Sequence, residues 1–405
     1  MSMSTSKARI DELVLLRAMA FLAIVLQHCI GEFIYRPETL PHDGIMLGML
    51  FHFTRFGTPT FIFISGLLFF YNYYHSLNYG SFIRKRVMDI YVPFVIWTIV
   101  YFTLSQGVLW FIQGESWLLF LKELFIPSNA YHLWFIVMIF QFYLLFPMFR
   151  GIVRFGQRLW ERHGAEMAGK AALNTMIVFG VLFLGYLYLS YDIFPRIHAS
   201  TDQGWLQWLI EHRMLYFISH AFYFVSGAVI ALYLSQWRDL VRKSSAWNPF
   251  IFALLYVWMG YRLLSHSTDT MNLYVSTYLK PSTFLLIVSQ MLIMYGMSLK
   301  LAETRSLLQR LFRWIGTYSF GGFLAHPLAI WALAPLTRPD RWVGNHLGVT
   351  ALFYIGVLAL SLGLSYGVSK LPFGSWIMGP TGAKRALRPA KGTSQPVQDA
   401  PVTLS

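Results

Sequence analysis

The fold of this chain is decided by residues 13–31, which read LVLLRAMAFLAIVLQHCIG. A helix needs about 20 mostly apolar residues to cross a bilayer, and this run has that length. Its apolar residues are continuous rather than alternating, which indicates a helix and not a strand of a membrane barrel. No small-residue cleavage pattern follows Ile30. We therefore interpret the run as a retained transmembrane helix rather than a cleaved signal peptide.

Nine further apolar runs follow, each bounded by polar loops. Of the 405 residues 56% are apolar and only 12% are charged, which excludes an ordinary soluble domain, where about 25% are charged. The sequence predicts an all-α integral membrane protein with about ten transmembrane helices. The predicted spans lie near residues 13–31, 50–72, 87–107, 132–149, 171–191, 213–234, 249–265, 280–299, 316–336 and 348–368.

The Lys and Arg residues alternate between the predicted loops. With the N-terminus inside, 22 of the 32 Lys and Arg residues fall in inner segments, 5 fall in outer loops, and 5 lie within or at the ends of spans. Cytoplasmic loops carry the excess of positive charge, so both termini are predicted to be cytoplasmic. The net charge of +14 is then a topological signal and requires no nucleic-acid partner.

The chain divides into one large membrane domain and two short ends. We predict a cytoplasmic N-terminal segment at 1–12, a transmembrane domain at 13–370, and a cytoplasmic, disordered tail at 371–405, because the end of the chain lacks aromatic residues and apolar periodicity. Cys29 is the single cysteine. It excludes an intramolecular disulfide, and we expect no metal site.

Two polar residues of the first span are candidates for catalysis. Arg17 and His28 are eleven positions apart, so they lie roughly 20° apart around a helix and about 16 Å apart along it. Glu32, four residues further on, is placed to hold one ring nitrogen of His28 and leave the other free. Snorkelling of Arg17 and His28 to opposite headgroup layers is the structural alternative. A buried charge at membrane depth more often marks a functional path.

Three more residues are candidates for substrate binding. Arg55 lies at the predicted outer end of the second span, where it either binds an anionic group, pairs with Glu32 or snorkels. His326 precedes Pro327 in the ninth span, so it either binds substrate or bonds the backbone that proline breaks. Trp134 is a candidate for sugar stacking or an interfacial belt residue.

Other polar and small residues have structural interpretations of comparable weight. His132 and His220 lie near predicted span ends, which favours anchoring. Arg84 and Arg86 belong to a basic cluster that either grips phosphates or only sets the orientation of the third span. Small residues at 65–66, and the GxxxG pattern at 363–367, predict close helix packing.

Taken in order, six stretches resemble the acyltransferase-3 family of bacterial multi-pass membrane O-acyltransferases. The first stretch holds Arg17 and His28, and the resemblance covers nearly the entire span region. Among the branches of this family, the motifs most resemble those of the poly-N-acetylglucosamine export or modification branch. The stretches are LLRAMAFLAIVLQH (15–28), PTFIFISGLLF (59–69), FIRKRVMDIYVPF (82–94), HLWFIVMIFQFYLLFP (132–147), FYFVSGAVI (222–230) and IGTYSFGGFLAHPLAI (315–330).

The resemblance implies transfer of an acyl group, commonly acetyl, from cytoplasmic acyl-CoA to a hydroxyl of a cell-surface or exported glycan. Arg17 and His28 match the functional pair of the family, while Arg84 and Arg86 match its cytoplasmic basic motif. Asp89 stands where one form of that motif has a second arginine. The resemblance also implies the bacterial cytoplasmic membrane, acyl-CoA as co-substrate with no tightly bound cofactor, and glycan synthesis or export machinery as a partner.

The residues themselves suit this chemistry. Imidazole, with an ordinary pKa near 6.5, is the side chain best placed to accept the proton of a sugar hydroxyl, which makes His28 the candidate base. Spacing alone does not decide between His28 as a base and His28 as an acyl carrier. An exporter of a polysaccharide or lipid-linked sugar, or a scaffold subunit of a glycan synthase, is the alternative to an enzyme.

Overall fold

A computed structural model describes residues 10–162, 164–201, 204–268, 270–337 and 344–381. All regular structure in these ranges is helical, as the continuous apolar runs predicted, and no strand occurs in them. The α-helices are α1 (Asp11–Gly31), α2 (Pro41–Thr54), α3 (Gly57–Tyr73), α4 (Tyr79–Arg86), α5 (Val92–Gln106), α6 (Gly114–Glu123), α7 (Trp134–Leu144), α8 (Phe146–Glu161), α9 (Ala165–Tyr188), α10 (Phe194–Thr201), α11 (Gly204–Glu211), α12 (Ala221–Leu232), α13 (Leu234–Ser244), α14 (Asn248–His266), α15 (Pro281–Glu303), α16 (Leu307–Leu333), α17 (His346–Ser369) and α18 (Gly374–Met378).

Seven helical segments of the described chain are long and apolar enough to cross a membrane, and the number rises to nine if two bent pairs each form one span. The bent pairs are α7 with α8, at 59°, and α12 with α13, at 112°. Helix α14 coincides with the predicted span 249–265 but is not among these nine. A multi-pass membrane protein is therefore confirmed, while the count of ten stays a prediction. Both chain ends, and with them the predicted cytoplasmic termini, lie outside the described residues.

Helix α1 lies at the centre of the helical bundle. It packs against α2, α3, α15, α16 and α17. Most of its apolar side chains are buried, and Leu15, Phe21 and Val25 have no exposed surface. Lipid tails are as apolar as these side chains, so the association rests on close packing. A polar residue on α1 is consequently surrounded by protein rather than by lipid.

Helices α3 and α12 approach each other closely through two glycines. A Cβ atom on Gly66 would collide with the carbonyl oxygen of Phe224, and one on Gly227 would collide with the carbonyl oxygen of Phe63. Only glycine permits this contact between backbones. The prediction of close packing at 65–66 is confirmed.

The GxxxG prediction for the last span is wrong. A Cβ on Gly363 or Gly367 would meet no atom of the described residues within 4 Å. Helix α17 instead packs through Ser365, whose hydroxyl donates a hydrogen bond to the carbonyl of Tyr318 at 3.0 Å. A Cβ on Gly321 of α16 would collide with that same serine. Sequence spacing identified a small-residue face but not the face that is used.

The predicted tail begins too early. Helix α18 lies within 371–405, and its Ile377 carbonyl accepts a hydrogen bond of 2.9 Å from the Trp97 indole of α5. Met378 is buried. Residues 371–381 are thus part of the packed domain, held by the contacts of Trp97 with Ile377 and by the buried Met378. The prediction missed them because it rested on the composition of the residues further along the tail. Residues 382–405 lie outside the described chain.

Candidate active site

The polar stripe of α1 is built on one continuous helix. Arg17 and His28 are both partly exposed on a helix that is otherwise largely buried. At one end of the stripe the His28 ring lies 5.1 Å from the ring of Tyr131, just before α7. At the other end Arg17 interacts electrostatically with Tyr143, near the end of α7. Because α1 is one continuous helix, their eleven-residue spacing places both residues on one face, as the sequence predicted.

Three imidazoles meet at the His28 end. The rings of His28 and His326 are 5.1 Å apart, and the rings of His326 and His132 are also 5.1 Å apart. His132 and His326 are buried, whereas His28 is partly exposed. These rings do not form a metal-binding group, and within the described residues no set of three or more His, Cys, Asp or Glu side chains is arranged to hold a metal ion. His28 is thus the most exposed of the three rings.

The two buried histidines differ in their hydrogen bonds. Nδ1 of His326 lies 2.6 Å from the carbonyl oxygen of Phe323, while its Nε2 has no partner among the described residues. His326 therefore bonds the backbone at the Pro327 break, as one of the two interpretations held, and still presents an unpaired nitrogen to the cluster. Neither ring nitrogen of His132 has a hydrogen-bond partner among the described residues, and its ring packs edge-on against Tyr101 at 5.3 Å.

Glu32 does not hold His28. In the described part of the chain no hydrogen bond joins the Glu32 carboxylate to the His28 ring. Glu32 follows the last residue of α1, and its backbone carbonyl accepts a hydrogen bond of 2.8 Å from Arg36. Burial raises the pKa of the Glu32 carboxyl, and Arg36 acts against that shift. The predicted contact is absent where the last turn tightens, because the N–H groups of Glu32 and Phe33 bond the carbonyls three residues earlier, at 3.2 and 3.1 Å.

Arg55 occupies a different position from the predicted one. The helical segment begins at Pro41, and Arg55 lies at the junction of α2 and α3 rather than at the outer end of a span. Its side chain is buried, and no ion pair joins it to Glu32 among the described residues. A buried guanidinium without a carboxylate partner is costly unless an anion or hydrogen-bond acceptors compensate it.

Neutral groups surround Arg55. Its Nε donates to the Ser276 hydroxyl at 3.1 Å, and its guanidinium carbon lies 4.1 Å from the centroid of Phe51 and 4.8 Å from that of Tyr278. The Tyr278 hydroxyl donates to Gln27, the residue before His28, at 3.0 Å. Arg55 is therefore a buried positive charge held by neutral groups, and it is linked through Tyr278 and Gln27 to the end of α1 that carries His28.

At the Arg17 end, Arg86 lies in a cage of aromatic rings. Its guanidinium carbon is 4.5 Å from the centroid of Phe69 and 5.3 Å from that of Phe82. Like Arg17, it interacts electrostatically with Tyr143. Its Nε is buried and has no hydrogen-bond partner among the described residues. The Arg86 guanidinium carbon lies 6.0 Å from the centroid of Tyr143, and Arg86 keeps an unused donor.

The rest of the basic cluster points elsewhere. Arg84 is exposed. Lys85 forms a salt bridge of 2.9 Å with Asp89, the residue that departs from the family motif. Asp89 lies in a π-helical turn, Val87–Tyr91, and such turns are frequent at functional sites. Of the two arginines predicted to bind the donor through this cluster, Arg86 therefore faces the interior and Arg84 faces solvent.

Trp134 is separate from the cluster. Its ring stacks on His220 at 5.6 Å with an angle of 29°, and His220 Nε2 lies 3.1 Å from the carbonyl oxygen of Met214. Among the described residues the indole makes no ring contact with His28, His132 or His326. Its predicted role in sugar stacking has no geometric support here.

A large apolar cavity lies away from the polar stripe. Its volume is about 750 Å³, and it is lined by side chains such as Met176, Ile177, Phe222 and Leu292. Neither Arg17 nor His28 lines it. The predicted site residues Arg17, His28 and His326 therefore lie outside the lining of this cavity.

The sequence did not predict a site role for two residues, His132 of the cluster and its neighbour Tyr101. His132 was assigned to anchoring, because its position near a span end gave no sign that α16 packs against it. Tyr101 had no distinguishing pattern at all, yet its hydroxyl lies 2.7 Å from the carbonyl oxygen of Leu324 in the broken part of α16. The one sequence signal for both was Pro327, since a broken helix needs nearby polar partners.

Comparison with known families decides the class of protein. The profile of an acyltransferase domain, that of the acyltransferase-3 family, matches residues 10–370. The chain belongs to this family. It is therefore a membrane acyltransferase, and the enzyme hypothesis prevails over the exporter and the scaffold. No curated protein and no solved structure matches the chain.

Proposed function

We propose that this acyltransferase moves an acyl group, most simply acetyl, from cytoplasmic acyl-CoA to a hydroxyl of a cell-surface or exported glycan. One observation carries the proposal. The stripe of α1 carries a partly exposed imidazole, His28, and a guanidinium, Arg17, about 16 Å apart along the helix. This spacing separates a site for phosphates from a site for proton transfer, as a donor with a long flexible arm requires.

The arginine end suits the donor. Arg17 and the caged Arg86 supply two permanent positive charges, and the free Nε of Arg86 supplies a hydrogen-bond donor for a phosphate oxygen. The predicted topology puts this end on the cytoplasmic side, where acyl-CoA is found. Exposed Arg84 contributes to the attraction of an anion but not to its final position.

The imidazole end suits the acceptor. His28 accepts the proton of the glycan hydroxyl while the hydroxyl oxygen attacks the thioester carbonyl carbon. The carbon–oxygen bond forms, the carbon–sulfur bond breaks, and His28 returns the proton to the departing thiolate. Arg55 stabilises the oxyanion, because its buried charge has no carboxylate partner among the described residues.

The setting of the enzyme follows from its acceptor. We place it in the bacterial cytoplasmic membrane, beside glycan synthesis or export machinery that delivers the acceptor to the outer end of α1. The acceptor class is a glycan of the poly-N-acetylglucosamine type, since the sequence motifs are most similar to those of that branch.

The test is transfer by the purified full-length protein in proteoliposomes. Acetyl-CoA labelled in its acetyl group is supplied with an N-acetylglucosamine oligosaccharide, and label on the oligosaccharide is measured. Ester-linked, base-labile label is expected. Release of labelled acetate alone, or label on protein or lipid with none on the oligosaccharide, would contradict the proposed acceptor.

A further inference from the structure

Helix α16 is broken at Pro327, and the break fixes the protonation of His326. Proline has no backbone N–H, so the carbonyl of Phe323, four residues earlier, loses its normal helical donor. Nδ1 of His326 takes its place, 2.6 Å from that oxygen. A carbonyl oxygen only accepts hydrogen bonds, so Nδ1 carries the proton.

A second side chain repairs the next turn. The Tyr101 hydroxyl donates to the carbonyl of Leu324 at 2.7 Å and accepts from the N–H of Leu328 at 3.3 Å. These two groups would otherwise bond each other directly. Tyr101 is thereby inserted into the helix, and the break does not need His326 for that turn.

The fixed tautomer leaves Nε2 of His326 as a bare acceptor. This nitrogen is buried and has no partner in the described part of the chain. A buried acceptor left unpaired costs about 1–3 kcal/mol, so it indicates a donor that is engaged at some stage of function. The ring of His28 lies 5.1 Å away, centroid to centroid. The two rings are in contact without a hydrogen bond between them, at an angle of 32°, so a rotation of the His28 ring is what would bring its N–H to this nitrogen.

We propose that His326 is the positioning residue of His28. Its Nε2 accepts the N–H of His28, which leaves the other ring nitrogen of His28 bare and directed at the acceptor hydroxyl. Pro327 acts indirectly. It leaves the Phe323 carbonyl free to accept the hydrogen bond of Nδ1, and that bond keeps Nε2 unprotonated. The sequence had suggested Glu32 for this role. The inference rests on the proposed function, since it assumes that His28 is the base.

His132 is the competing donor, because its ring is also 5.1 Å from that of His326. The two geometries differ in consequence. If Nε2 accepts a hydrogen bond from His132, that bond joins two buried residues, and His326 does not orient the ring of His28. If Nε2 bonds His28, removal of the acceptor lowers the rate of the chemical step without changing donor binding.

A pair of amide substitutions separates positioning from helix repair. The amide of asparagine lies near the site of Nδ1 and that of glutamine near the site of Nε2. His326→Gln keeps an acceptor facing His28 and should retain kcat to within about tenfold, whereas His326→Asn should lose about 10² in kcat. The KM for acetyl-CoA should stay unchanged in both. The reverse order of kcat values would overturn the proposal, because it would mean that only the Phe323 bond matters.

Two further variants complete the set. His132→Phe should keep more kcat than His326→Asn, and an equal loss would assign Nε2 to His132 and overturn the proposal. His75→Gln, at an exposed histidine outside the site, is the matched control and should behave as wild type.

A second measurement needs no acyl transfer. Solid-state ¹⁵N NMR of histidine-labelled protein in bilayers, with the His326 signals taken from the difference between wild type and His326→Gln, reports which nitrogen is protonated. The expected result is a protonated Nδ1 in wild type, and a mixture of tautomers in Pro327→Ala, which restores the N–H that competes for Phe323. A protonated Nε2 in wild type would overturn this proposal alone. If NMR finds the expected protonated Nδ1 but the protein transfers no acetyl label to the oligosaccharide, the result would instead count against the proposed function.

Discussion

The ring of His28 lies 5.1 Å from the ring of His326, although 298 positions separate the two residues in the chain. Helices α1 and α16 pack along each other and bring these rings together. One imidazole is partly exposed and the other is completely buried. This pairing joins the polar stripe of the first helix to the broken helix near the end of the domain.

Arg86 and Arg84 form a matched pair for testing the donor site. Arg86→Lys keeps the charge but loses the planar group that stacks on Phe69 and Phe82, so the KM for acetyl-CoA should rise about tenfold or more. Arg84→Lys changes an exposed side chain and should leave the KM nearly unchanged. Steady-state kinetics in proteoliposomes measure both. Equal effects of the two changes would show that the cluster acts only through its charge.

The role of Arg55 is tested by neutralising it. Arg55→Gln should lower kcat by about 10²–10³ if the guanidinium stabilises the oxyanion. The KM for acetyl-CoA should change little, because the donor phosphates bind at the other end of the stripe. Binding of a labelled acyl-CoA by the same variant is the control. A raised KM with normal kcat would place Arg55 in substrate binding alone.

The glycine contact between α3 and α12 is a test of the fold. Gly66→Ala puts a methyl group against the Phe224 carbonyl and should destabilise the protein by about 1–3 kcal/mol. Gly363→Ala, on an open helix face, is the matched control and should be tolerated. Thermal unfolding in detergent, followed by fluorescence or by size-exclusion chromatography, compares the two. A stable Gly66→Ala protein would show that the two helices pack differently.

The predicted orientation is tested with reporter fusions. A fusion at Ser405 should report the cytoplasm, and one within 192–212 should report the opposite side, because the loop charges favour that arrangement. Helix α14 is tested by two further fusions, one after residue 245 and one after residue 267. They should report opposite sides if α14 crosses the membrane and brings the number of spans to ten. Equal signals at these two sites would lower the number of spans.

The sequence predicted the helical class and the polar stripe well, because both depend on local patterns. Continuous apolar runs determine membrane helices, and the eleven-residue spacing of Arg17 and His28 determines their shared face. The contacts of Glu32 were mistaken because a helix end cannot be located to one residue from composition. The partnership of His28 with His326 and His132 depends on packing between distant helices, which spacing within one helix does not encode.

The same limit explains the two glycine predictions. Gly66 and Gly363 stand in similar small-residue patterns, yet only Gly66 faces a neighbouring backbone. The difference lies in which face each helix presents to its partner. Local sequence describes the surface of a helix but not its rotation in the bundle.

The most direct test of the account is acyl transfer by His28→Ala in proteoliposomes, measured with acetyl-CoA labelled in its acetyl group and an N-acetylglucosamine oligosaccharide. Loss of a polar group from a span lowers its burial cost, so insertion and abundance should be normal. Transfer should fall by about 10²–10⁴, with labelled acyl-CoA still bound at wild-type affinity. Near-normal transfer by this variant would contradict the central claim that His28 is the base.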